Sequence, residues 1–232
     1  MSYDITTIPG TMRKMGWTNG AALMDRWFAL PSNGVPENGF SDTSTIKMSW
    51  VLGFSRAKEV YNEIVTQKLW FNTPAKSQIQ RWLTNEGKLA QKDTSFGGPM
   101  QNVLALDSTY VQARYVGSVW DPLDDMYGAL GKFAFRVAVA GHITFQKATS
   151  KHKIAIREVG IYLRDSYDFN GEQSLGHWSD GIVGKLPVPF VTTEVTNKDF
   201  RDWRAANGKG GDFLLYSDVM LLKRTTPDVF EV

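Results

Sequence analysis

Between residues 131 and 184 the sequence leaves the chain few options. From residue 132 to 146 apolar and polar side chains alternate almost without a fault. Phe133, Phe135, Val137, Val139, Ile143 and Phe145 point one way, and Lys132, Arg136, His142, Thr144 and Gln146 point the other. Period-two alternation over this length predicts a half-buried antiparallel strand. The short polar segment 148–151 suits a hairpin loop. The return strand begins with Ile154 and Ile156 inward, then changes parity to Val159, Ile161 and Leu163. A parity change inside one strand means a β-bulge or burial on both faces, and a bulge near Arg157-Glu158 is the favoured reading.

Asn170-Gly171 is the preferred pair for a two-residue hairpin turn. Pairing outward from it sets Leu163 opposite Trp178 and Arg164 opposite His177. Val159, Ile161, Leu163 and Trp178 then share the core face. Arg164, Ser166, Asp168 and His177 share the other. That polar, convergent set is the candidate catalytic site, with His177 as general base, Asp168 orienting it and Ser166 as nucleophile. Ser166 lacks the G-x-S-x-G elbow, and a solvated sheet face with cross-strand hydrogen bonds is the competing reading.

A sheet with one apolar face needs a cover, and the first 99 residues supply helical patterns. Pro9 opens a short helical turn that Gly16 stops, and Thr18 or Asn19 caps a second helix to about Leu30. Its stripe is Ala21, Met24 and Phe28, widened by Leu23 and Trp27. Residues 32–43 read as a surface loop, and Ile46, Met48 and Trp50 as a short strand. Residues 55–68 take helical spacing, and Thr73-Pro74 begins a further helix to about Leu89. Residues 90–99 read as a mobile connector, 110–116 as a strand and 121–131 as a turn with one helical turn. The segment Leu186-Pro187-Val188-Pro189 must be an edge or connector, because proline lacks a ladder donor. Thr196 and Asp199 have capping-box spacing for a helix that stops at Asn207-Gly208. A last strand runs 213–222, with a loose tail after Pro227. The expectation is a single α+β domain over 1–232, helix-rich in 1–99 and strand-rich in 100–232. Its twisted antiparallel sheet comes mainly from the C-terminal half and is packed by helices mainly from the N-terminal half.

Composition narrows the chemistry. The 232 residues are 42% hydrophobic, enough to bury a core. Cysteine is absent, so disulfides, thiolate metal sites and cysteine nucleophiles are excluded. The formal charge of +2 gives no general case for nucleic acid. Arg13, Lys14 and Arg26 beside Trp17 and Trp27 fit an amphipathic helix better than a base-stacking platform. The three histidines, His142, His152 and His177, lack zinc-site spacing, so no metal and no cofactor are expected. Glu158, Asp165 and Asp168 are a possible acid pair for glycoside chemistry, although turn carboxylates usually serve local hydrogen bonds. The GKGGDF segment, 208–213, follows a helix where a phosphate loop would precede one, and is read as a turn. Asp121, Asp124 and Asp125 lack calcium-loop spacing. No apolar run is long enough to span a bilayer, and the N-terminal residues show no secretory signal pattern.

Four stretches together resemble one family: IPGTMRKMGWTNGAALMDRWF (8–28), MSWVLGFSRAKEVYNEI (48–64), VGIYLRDSYDFNGEQSLGHW (159–178) and FRDWRAANGKGGDFLLYSD (200–218). They are similar to DUF6402, uncharacterised bacterial proteins associated with type VI secretion and PAAR-type spikes. The resemblance implies a candidate antibacterial effector. The alternative is a non-catalytic adaptor, chaperone-like or immunity component for a secreted partner. It implies a protein partner, a cytoplasmic place in the producing cell and export independent of a signal peptide. It supplies no catalytic residues.

Overall fold

The computed structural model describes residues 3–36 and 39–232. Its α-helices are α1 (Ile8–Lys14), α2 (Thr18–Ala29), α3 (Met48–Val51), α4 (Ser55–Thr66), α5 (Thr73–Asn85), α6 (Val103–Asp107), α7 (Asp125–Leu130) and α8 (Asn197–Asn207). Its strands are β1 (Phe40–Asp42), β2 (Asp93–Phe96), β3 (Gln112–Val116), β4 (Phe133–Gln146), β5 (Lys151–Tyr167), β6 (Ser174–Ser179), β7 (Ile182–Gly184), β8 (Thr193–Thr196), β9 (Phe213–Tyr216) and β10 (Met220–Glu231). The class is α+β, with strands mainly from the C-terminal half. The chain forms two compact units. The first comprises Met1–Ile46, Gly117–Phe133 and Asp165–Tyr216; the second comprises Lys47–Val116, Ala134–Arg164 and Ser217–Val232.

The second unit holds the long alternating strands. β4 and β5 pair antiparallel from Ala134↔Arg164 to Gln146↔Lys151. The register shifts between Ala140↔Glu158 and Gly141↔Ile156, leaving Arg157 as the extra residue. This is the expected bulge, and it lets Ile154 and Ile156 bury together with Val159, Ile161 and Leu163 despite their different parity. β10 pairs antiparallel with β5 and jumps from Lys223↔Glu158 to Asp228↔Ile156, so residues 224–227 loop out opposite the same bulge. The chain after Pro227 is therefore strand, not a loose tail: Val229 and Phe230 register with Ala155 and Ile154. β2 pairs with β4 through Phe96↔Gly141, which replaces part of the expected mobile connector with an edge strand.

Helices of this unit cover its strands with aromatic contacts. Tyr61 of α4 meets Phe135 edge-on, Phe71 meets Phe230, and Trp82 of α5 meets Phe96. The segment around Met48 is helical where alternation suggested a strand. Its first amide donates to Asp218 Oδ1 at 2.6 Å, and that carboxylate at the helix start outweighs a weak three-residue alternation. α5 is capped by Asn72, whose Oδ1 accepts the Ala75 N–H at 2.9 Å, one residue before the expected Thr73. It ends at Asn85, ahead of Leu89, and the expected last strand is split into β9 and β10 by residues 217–219.

The first unit is built around α2. Ala21, Leu23, Met24 and Trp27 are buried along the expected stripe. Neither Thr18 nor Asn19 caps the helix. The Asn19 and Gly20 amides instead donate to the carboxylate of Asp125 at 3.1 and 2.8 Å, so α7 carries the cap of α2. α7 approaches closely because Gly128 presents no side chain; a Cβ there would lie 2.6 Å from the Trp17 ring. β1 and β9 pair in parallel from Phe40↔Phe213. Residues 37 and 38 of the expected 32–43 loop lie outside the described residues, and its end forms β1. Gly210 and Gly211 donate their amides to Leu30 and Trp27 carbonyls, so the Gly-rich turn is a packing device: a Gly210 Cβ would lie 2.5 Å from the Trp27 ring. α8 opens with the expected capping box of Thr196 and Asp199 and stops at Gly208 in the left-handed region. β6 pairs antiparallel with β7 and β8 in a separate three-stranded sheet.

Candidate functional site

The Asn170-Gly171 hairpin does not form. Leu163 registers with Phe135, and Trp178 with Val183 and Thr193. Side chains have claimed the turn's backbone groups. Asp168 Oδ1 accepts the Asn170 N–H, Asn197 Nδ2 donates to the Asn170 carbonyl, and Arg201 donates to the Phe169 and Gly171 carbonyls. With those groups occupied, residues 168–172 fold against α8. β6 turns back instead at Asp180-Gly181, joining Ser179 to Ile182. Trp178 is nonetheless buried, as expected, and donates its indole N–H to the Leu175 carbonyl at 2.9 Å.

The pairing expected to put the four candidate residues on one face is therefore absent. Ser166 and Asp168 both stand on the wall of a cavity of about 610 Å³ in the first unit. His177 is half-buried on β6, opposite Gly184 and Glu194, and is not among the lining residues. Arg164 ends the β4–β5 pairing opposite Ala134 and belongs to the second unit. Among the described residues no hydrogen bond links His177 to Asp168. Asp165 lines the same wall and accepts the Ser166 N–H at 2.9 Å, whereas Glu158 sits beside the bulge of the second unit.

Apolar and aromatic side chains make most of this cavity. Met12 and Trp17 come from α1 and the turn after it, Met24 from α2, Tyr127 from α7, Trp178 from β6, and Phe200 from α8. Phe169 and Phe200 stack at 3.8 Å between centroids, with Trp27 edge-on behind them. Tyr167 is buried with its hydroxyl 3.8 Å from Met24 Sδ; burial, reinforced by the Asp165 charge, pushes its phenol far up, so it stays neutral. Behind the aromatic floor Asp212 accepts the Trp27 indole N–H at 2.8 Å and pairs with Arg204. Burial raises the Asp212 carboxyl despite those two donors, and the Asp168 charge adds to the rise.

The rim is unusual for what it leaves in water. Trp120 is 88% exposed and Leu186 78%, and both border the cavity. Lys185 ties the two rim segments together by donating to the Val119 carbonyl at 2.5 Å and to that of Asp121. Beyond Leu186 the loop presents Phe190, fully exposed and in the left-handed region at φ 63°. Thr192 fixes that loop: its hydroxyl accepts the Val188 N–H at 2.8 Å, and its own N–H donates to the Val188 carbonyl. Such backbone strain costs about 1–3 kcal/mol and persists only where surrounding structure imposes it. The sequence signal was present in an apolar run, LPVPFV at 186–191, whose prolines bar it from a sheet interior.

A second polar cluster lies in the second unit. Ser95 Oγ is 3.3 Å from His142 Nδ1, and His142 Nε2 pairs with Asp93. The strand register explains it, since Ser95 stands directly opposite His142. The Asp93 side chain is 69% exposed and the His142 side chain 37%. Water competes for every member of this set, which makes it a cross-strand surface cluster and not a preorganised nucleophile. Of the basic residues beside tryptophans, Arg13 pairs with Asp25, Lys14 with Asp180 and Arg26 with Asp42, and both Trp17 and Trp27 are buried.

The geometry therefore defines an α+β protein whose most site-like feature is an aromatic-walled cavity with an exposed apolar rim. The chain belongs to DUF6402, a family of unknown function, whose model matches residues 3–192 and 189–232. No curated protein and no solved structure matches it.

Proposed function

We propose that this DUF6402 protein serves bacterial type VI secretion as a non-catalytic binding module, an adaptor or chaperone-like component that grips a secreted protein partner. The observation that carries the reading is the exposed set of Trp120 and Leu186 at the cavity border and Phe190 beyond it, the last two on a loop held by Thr192. Large exposed aromatic groups around a concavity are the usual anchors of protein recognition. The secretion setting comes from the family resemblance. The test is capture from the native host with the full chain and with a Trp120→Ser, Phe190→Asn double variant. The expected outcome is a partner retained by the parent and lost by the variant, with stability changed by no more than about 0.5 kcal/mol because both side chains are exposed. A partner held equally by both removes the rim from the account.

Ser166 and Asp168 on the cavity wall favour a second reading, the antibacterial effector. Expression in the cytoplasm and in the periplasm of a susceptible host, without an immunity partner, tests it. Growth arrest relieved by Asp168→Ala would support an effector; normal growth in both compartments would reject it.

A further inference from the structure

Over the whole chain the formal charge is only +2, but the two compact units do not share it evenly. The first unit holds nine lysines and arginines against 15 carboxylates, a formal charge of −6. The second holds 17 against nine, a formal charge of +8. A balance that is nearly neutral along the sequence thus hides a strongly basic body, and a field is set by where charge concentrates.

Part of that charge lies on one open face of β4, β5 and β10. Ile154 and Ile156 are buried on the face that α4 and α5 cover through Phe135 and Phe96. Strand alternation puts Lys151 and Lys153 on the opposite face, and both are exposed. Arg157, the extra residue of the bulge, is exposed further along β5, and so is Lys223, which stands beside it on β10 opposite Glu158. The carboxylates of this face are Asp93, Glu158 and Glu231; His142 holds the first, and Lys151 pairs with the third at 3.6 Å. Among the described residues Lys153, Arg157 and Lys223 have no ion-pair partner. The row from Lys151 to Arg157 spans about 20 Å of strand.

This face offers charge with little apolar surface to bury. Among the described residues Val229, at 38%, is its one exposed large apolar side chain. Protein interfaces centre on aromatic and aliphatic anchors, and membrane-surface binding needs an apolar face to insert. A phosphate backbone needs neither, since lysines and arginines bind it by releasing condensed counterions, whatever the base sequence. About 20 Å of duplex carries about a dozen phosphate charges, enough to meet the whole row.

We propose that this face of the second unit binds double-stranded nucleic acid through its phosphates, without reading the bases. Lys153, Arg157 and Lys223 make the central contacts, and Lys151 extends them. The residues belong to the second unit and those of the rim to the first, so the proposal goes beyond the protein-partner reading. Fluorescence anisotropy of a labelled DNA duplex of about 20 base pairs, titrated with the full chain at about 50 and about 200 mM salt, tests it. Two unrelated sequences are expected to bind saturably and alike, with affinity falling about a hundredfold between the two salts, as about four phosphate contacts require. Lys153→Gln with Arg157→Gln is expected to weaken binding at the lower salt by roughly tenfold or more and to reduce the salt slope by about two. Lys58→Gln with Arg81→Gln removes the same charge from α4 and α5, which cover the other face, and is expected to bind as the parent does. Thermal melts confirm that the variants fold, and Lys223→Gln carries the test if the first pair does not. Unlabelled duplex is expected to displace the label at a lower charge concentration than polyglutamate or phosphatidylserine vesicles do. No saturable binding by the parent, an affinity indifferent to salt, a strong preference between the two sequences, equal losses in the two double variants, or better displacement by polyglutamate or vesicles would overturn the proposal. Partner capture at the rim leaves these outcomes unaffected, so the two readings fail separately.

Discussion

At the scale of single residues, buried carboxylates decide how this protein meets acid. Burial by itself would raise the pKa of Asp228. Bonds from Lys68 and Trp70, together with the Arg224 and Lys68 charges, outweigh it and hold the carboxyl below its usual range. Asp42 is lowered in the same way, its burial outweighed by the Thr45 and Ser44 amides. A depressed folded-state pKa gives stability that is present above the unfolded value of about 3.9 and lost as pH falls through the folded one. Asp228→Asn should therefore destabilise the protein by about 2 kcal/mol at neutral pH and by less in acid. Denaturant melts across that window measure it, and a loss that is independent of pH would contradict it. Asp212 has the opposite sign: its raised carboxyl makes ionisation a cost that sets in as pH rises through its folded value.

At the scale of elements, caps and bulges mark where local pattern sufficed and where it did not. The Arg157 bulge, the Thr196–Asp199 capping box and the Gly208 stop could all be read from short stretches, because each depends on residues a few positions apart. The cap of α2 could not. Asp125 lies more than a hundred positions from the amides it binds. Asp125→Ala should cost about 1–2 kcal/mol, a typical cap loss, whereas Thr18→Ala should cost little; chemical denaturation of the two variants compares them. The pairing of β6 failed for a related reason. Asn170-Gly171 and Asp180-Gly181 are both legitimate turn pairs, and local sequence could not show that Asn197 and Arg201 would occupy the backbone of the first. The candidate site was half legible on that account: Ser166 and Asp168 follow directly from β5 and reach the cavity, while His177 depended on the pairing that did not form. Asn197 carries no sequence signal of its own.

At the scale of the whole molecule, each compact unit is assembled from three separated stretches of chain. The first closes only with Asp165–Tyr216, and the second only with Ser217–Val232. Contacts so distant along the sequence slow folding, because loops must close before burial repays them. During synthesis this has a plain consequence. A ribosome that has made everything up to the Asp180-Gly181 turn has completed neither unit, and β5 must wait for its antiparallel partner β10. Nascent chains arrested before β10 emerges should stay open to protease, even though most residues of both units already exist, and pulse proteolysis of stalled complexes would show it. A cell that makes this protein must shelter the second unit until β10 has emerged.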